Sequence, residues 1–273
     1  MRYLNNEETF GKKFSFVSRI LDNIKYHRLH LSKCSAEKGF TLIEIIITIL
    51  LLGIVASLGV GIISSVFTGY SDTVTKDYLY SESKFIIERI DRELRNTIPN
   101  TVRLHSSDTV LQFALFSDAS YYERLADKNK IKLTESGFLN MGDNISIYNT
   151  KDIHFYDMSR VYQIMDNSTD NVTLDKKVQK YSPYNRFFVV DTPVTIFKSG
   201  NYIKRCFGYT IDISITGENV GTCNILGSYV ESVKFAYDPG NRWRNAVVNI
   251  DLTLKRNDVS ITQKHQVNIR NVP

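Results

Sequence analysis

The chain has 273 residues, 34 Lys and Arg against 29 Asp and Glu, and a formal net charge of +5. Hydrophobic residues make up 42% and charged residues 23%, which excludes a disordered chain, and three Cys exclude a disulfide-dense miniprotein. A mean hydropathy of −0.20 excludes a polytopic membrane protein but leaves room for one apolar segment.

The basic balance is local. Residues 1–39 hold eight basic residues and four acidic ones, so four of the five net charges lie there, and the other 234 residues are nearly neutral. Such a cluster could face nucleic acid, but it lies directly before the most apolar stretch of the chain. Basic residues in that position are retained on the cytoplasmic side of a membrane. The charge is thereby explained with no nucleic-acid partner.

From Ile45 through Ser71 no residue is charged. A helix of roughly 20 apolar residues crosses a bilayer, and a cleavable secretory core is shorter, at about 7–15. One membrane helix is expected, with the N-terminus cytoplasmic. Glu44 stands one residue before this run. A carboxylate at the edge of a membrane either reaches back to the headgroups or finds a partner.

Residues 38–44 read Lys38-Gly39-Phe40-Thr41-Leu42-Ile43-Glu44. The segment resembles the cleavage signal of type IV prepilins and pseudopilins, in which basic residues and a Gly precede Phe-Thr-Leu-Ile-Glu and an apolar helix. The resemblance implies cutting between Gly39 and Phe40 by a membrane-embedded prepilin peptidase, which also methylates the new amine of Phe40. It implies that Glu44 neutralises the amine of a neighbouring subunit in a filament. Gly39 lets the scissile backbone enter a tight site. A 39-residue leader is long for that family, and no Met lies between Met1 and Met141, which leaves a downstream non-Met start open. The Pro that kinks many major pilins is also absent, with Gly59 and Gly61 in its place.

Beyond Gly69 the pattern becomes amphipathic, with Tyr70, Val74, Tyr78, Phe85, Ile86, Ile90, Leu94 and Ile98 mostly three or four residues apart or at multiples of that step. Glu88–Arg92 and Asp91–Arg95 are expected as i, i+4 pairs. Pro99 is expected to stop the helix. The reading is a leader at 1–39, a helix at 40–98 and a β-rich periplasmic head at 99–273. The helix is expected to be transmembrane or filament core over about 40–67 and amphipathic over 68–98. The fold class is α+β and pilin-like: a long N-terminal helix packed on an antiparallel sheet.

In the head, alternation predicts strands at Tyr209–Ile215, Val233–Tyr237, Ala246–Leu254 and Val259–Ile269, with a turn at Asp238-Pro239-Gly240. A short helix is expected near Tyr121–Ala126 and an Asn/Asp-rich loop over Asp166–Asp175. That loop lacks the EF-hand pattern and reads as solvated, with no metal. Cys34 leaves with the leader. Cys206 and Cys223 remain as an even pair in an oxidising compartment, so a disulfide is expected rather than two free thiols.

Glu88–Asn96 followed by Pro99-Asn100, Arg205–Tyr209, Cys223 and the segment from Val230 to Pro273 are similar in patches to minor pseudopilins of the mannose-sensitive haemagglutinin (MSHA) pilus system. That resemblance implies a low-abundance structural subunit that helps initiate or cap a filament. Its partners would be other major and minor pilins and an inner-membrane assembly platform, and it would pass from inner membrane to pilus. A J-type minor pseudopilin of a type II secretion system and a pilus-tip adhesin are the alternatives. No enzyme motif and no cofactor motif is found.

Overall fold

A computed structural model describes residues 39–135, 137, 139–167, 171–216, 218, 220–240 and 244–270. The leader up to Lys38, with Cys34, lies outside the described residues. The chain divides into two units, Met1–Ile63 and Ser64–Pro273.

One helix, α1 (Leu42–Arg95), begins in the first unit and ends in the second. In the first unit its apolar side chains are exposed all round, Leu42, Ile46, Leu50 and Leu52 among them. A helix apolar on every face needs lipid or other protein around it. Among the described residues it is the one helix long and apolar enough to cross a membrane. The Thr48 hydroxyl donates to the Ile45 carbonyl at 2.9 Å, so that hydroxyl is satisfied within the helix. Helical structure continues through Gly59 and Gly61.

In the second unit α1 buries Leu79, Ser83, Ile86, Ile87, Ile90, Glu93 and Leu94, steps of three and four that form one stripe. The stripe begins at Leu79 rather than at Tyr70. Tyr70, Val74, Tyr78 and Phe85 are exposed. Opposite it stands a three-stranded antiparallel sheet, order β10-β11-β12, made by β10 (Val230–Asp238), β11 (Ala246–Arg256) and β12 (Val259–Ile269). Three predicted strands and their alternation are found here. Phe235, Val248, Ile250, Leu252 and Val267 meet the helix in one core, which Leu111, Phe113, Val194 and Ile196 of a second sheet complete. Each such aliphatic side chain contributes about 1.5–3 kcal/mol by leaving water. The turn after β10 is built on Gly240 at φ 49°, and a Cβ there would collide with the Arg244 carbonyl and the Ala246 amide.

The second sheet has nine strands among the described residues: β1 (Arg103–His105), β2 (Val110–Arg124), β3 (Lys130–Leu133), β4 (Asn144–Ile147), β5 (Val161–Asp166), β6 (Asn171–Leu174), β7 (Arg186–Ser199), β8 (Tyr202–Phe207) and β9 (Thr222–Gly227). Their order is β1-β2-β3-β6-β5-β4-β7-β8-β9, and β2 also pairs with β7. The pairings β2–β3–β6–β5–β4–β7–β2 therefore close a ring of six antiparallel strands. Its filling is a separate core that includes Tyr122, Ile131, Ile145, Ile147, Tyr162, Ile164, Val172, Leu174 and Phe187. A short helix, α2 (Asp152–Tyr156), connects β4 to β5.

Several expectations are corrected. Helix α1 ends at Arg95, not Ile98, because the chain beyond it pairs with β2. The Ile98 amide donates to the Ala114 carbonyl at 2.8 Å, and Thr97 bridges to Leu115. Glu88 pairs with Lys84 at 3.7 Å instead of with Arg92, whereas Asp91–Arg95 forms at 2.7 and 3.1 Å. Tyr121–Arg124 belongs to strand β2, not to a helix. Asn171–Leu174 is strand, not loop, although residues 168–170 of that segment lie outside the described residues.

Tyr209–Ile215 is not a strand. Its backbone is engaged elsewhere: the Arg103 guanidinium donates to the carbonyls of Ile215 at 2.7 Å and of Asp212 and Ile213 at 3.4 Å. Tyr209 turns inward, its hydroxyl 2.9 Å from Gln112 Nε2 and 2.5 Å from Thr195 Oγ1. Burial raises the phenol's pKa and holds it neutral.

Candidate functional site

Thr41 sets the entrance to α1. The Glu44 amide donates to Thr41 Oγ1 at 3.3 Å and to the Thr41 carbonyl at 3.1 Å. Thr41 is thus the N-cap, and Thr41-Leu42-Ile43-Glu44 has the spacing of a capping box. Gly39 and Phe40 precede the cap in irregular backbone, and both are exposed. The Gly39–Phe40 peptide bond is therefore outside the helix.

A Cβ on Gly39 would meet nothing within 4 Å. The fold of this chain makes no demand for glycine there. Glu44 lies in the first turn, where the positive end of the helix dipole favours a carboxylate. Its side chain is exposed, and among the described residues it forms no ion pair. The helix is one turn old at Glu44 and uncharged thereafter to Ser71.

A second set of charged residues fixes α1 within the Ser64–Pro273 unit. Glu93 is nearly buried and receives Arg205 Nε at 2.8 and 3.0 Å and Arg89 Nε at 2.7 Å. Asp91 receives Arg95 and stands 3.1 Å from His265 Nε2 on β12. Glu82 Oε1 accepts from the Ser228 amide at 2.9 Å, capping the chain between β9 and β10. Neither the motif nor the apolar periodicity assigns a role to Glu82, Glu93 or Arg205. One signal was present: Glu93 stands three residues after Ile90 and seven after Ile86, an acid inside the apolar stripe.

Cys206 and Cys223 are direct cross-strand partners on β8 and β9 and are joined by a disulfide. Cys206 is fully buried beside Val110 and Phe197.

Residues 34–60 match the family model described as "Prokaryotic N-terminal methylation motif". No curated protein and no solved structure matches the chain. The motif, the membrane-capable helix α1 and the antiparallel β head support a type IV prepilin-like protein. A motif of this kind implies processing by a prepilin peptidase and membrane association through one helix.

Proposed function

We propose that the chain is a minor pilin or pseudopilin, similar in patches to the MSHA biogenesis protein MshO, and that it helps initiate or cap an MSHA-type filament. It is a structural subunit rather than an enzyme. The observation that carries this reading is the capped helix start. It leaves Gly39–Phe40 in accessible irregular chain and sets Glu44 in the first turn of an otherwise apolar helix.

Cleavage after Gly39 removes most of the positive charge and creates a cationic amine on Phe40. In a filament this amine is buried among apolar helices. The carboxylate of Glu44 on a neighbouring subunit offsets it, and a buried charge without its partner costs several kcal/mol. Glu44 therefore acts at subunit entry, not at cleavage. The peptidase, by contrast, reads Gly39.

Two variants separate these roles in cells that assemble the filament. Gly39→Phe should retain the leader, seen as a slower band on a gel. Glu44→Ala should be processed but be depleted from sheared filaments. Normal incorporation of Glu44→Ala would refute the assembly role. Neighbouring genes for MSHA pili rather than for type II secretion would support the filament assignment.

A further inference from the structure

A cleft of about 510 Å³ opens where the end of α1, the β2–β7 ladder and the end of β12 come together. That volume lies within the range of small-ligand sites, roughly 300–1,000 Å³. Three guanidinium groups line it, those of Arg95, Arg186 and Arg270, and among the described residues no carboxylate does. Arg95 is already engaged by Asp91. Arg186 is not: its Nη2 donates to the Tyr121 hydroxyl at 3.1 Å, and its guanidinium lies 5.5 Å from the Tyr121 ring and 5.9 Å from the Phe188 ring. The aromatic contacts orient this cation, and among the described residues it has no ion pair. Arg270 is exposed and has no ion pair among the described residues.

The rest of the lining is also specific in kind. Phe116 and Phe188 lie together, with centroids 5.4 Å apart, and Tyr121 is half exposed. Asn96 and Asn268 contribute amides, each both donor and acceptor. A simple inorganic anion would use the guanidinium groups and leave the rings and amides idle. A ligand with one carboxylate, several hydroxyls and an apolar ring face uses all three.

We propose that this cleft binds a carboxylated sugar, such as a uronic acid residue of an acidic polysaccharide. Arg186 and Arg270 would hold the carboxylate, the two Asn the hydroxyls, and Tyr121 the ring. This site is independent of the processing motif and of the assembly role.

The test is titration of the detergent-solubilised full chain with a glucuronic-acid disaccharide, followed by calorimetry. Saturable binding is expected, about tenfold or more tighter than for the matching neutral glucose disaccharide, because a charge-assisted hydrogen bond is at stake. Arg186→Gln and Arg270→Gln should each weaken it by about tenfold. Arg270 is exposed, so its variant keeps the fold, checked by an unchanged melting temperature. Equal binding of the neutral sugar would overturn the proposal. So would full competition by sulfate or by an acidic tetrapeptide, or an Arg270→Gln protein that folds and binds like the parent.

Discussion

Glu93 of α1 and Arg205 of β8 form a buried ion pair across the interior of the head, with Arg205 Nε 2.8 and 3.0 Å from the two carboxylate oxygens. The two side chains keep 8% and 15% of their exposure. Arg205 is next to Cys206, so this pair and the disulfide fasten neighbouring positions of one strand. The helix is thus registered against the sheet by charge as well as by apolar packing.

Glu93→Ala strands the Arg205 cation in a largely dry site. Breaking a buried pair by removing one partner costs about 3–5 kcal/mol. Arg89 is 44% exposed and can turn to water, so the lower end of that range is expected. Replacing both Glu93 and Arg205 with Met should cost less than Glu93→Ala alone. Denaturant unfolding of the three proteins measures this.

Reducing the Cys206–Cys223 bond frees strand β9 from β8. The bonded residues are 17 apart in sequence, and a crosslink of that span contributes about 3 kcal/mol in the chain-entropy account. The Cys206→Ser, Cys223→Ser double variant should unfold at a lower temperature than the oxidised protein. Amide exchange should rise first in β9, which is the last strand of its sheet.

His105 gives the head an acid sensitivity. Burial, aided by the charge of Arg103, lowers the imidazole's pKa below its usual 6.5, against the pull of its contact with Gln112. The unfolded chain therefore takes up a proton more readily than the folded one. Stability is complete above that value and falls as the pH drops through it. The melting temperature should decline as the pH falls below 6.5, and His105→Gln should flatten that decline.

Gly227 of β9 lies against α1, and a Cβ there would collide with the Ile86 side chain. Ile86 is fully buried and has little room to yield. Gly227→Val should destabilise the head by about 1–3 kcal/mol, the usual cost of overpacking. Adding Ile86→Ala should recover part of that loss, measured as a double-mutant cycle.

The long alternating strands were legible because nine or more residues repeat with period two. Val248, Ile250 and Leu252 point inward and Asn249, Asp251 and Thr253 do not. The strands Lys130–Leu133, Asn144–Ile147 and Asn171–Leu174 have four residues each, too few for a period to show. Their apolar residues make sense only once the ring is closed. Tyr209–Ile215 misled in the opposite way. Its alternation is regular, but its carbonyls bind Arg103, more than a hundred residues earlier in sequence. At the helix start, the motif located Gly39, Phe40 and Glu44, while the cap by Thr41 emerged only from hydrogen-bond geometry.

The ring of strands has its entrance and exit side by side, because Tyr121 of β2 and Arg186 of β7 are direct cross-strand partners. Everything between them is, topologically, the tip of a single hairpin that has grown a core of its own. That tip rests on the base through Phe155 and Tyr156, which pack with Ile98 and Ala114, while most of its own core is separate from the one that holds α1. The portion of the head that grips α1 is then a constant chassis. The ring is a payload whose filling shares no residue with the core that holds the helix.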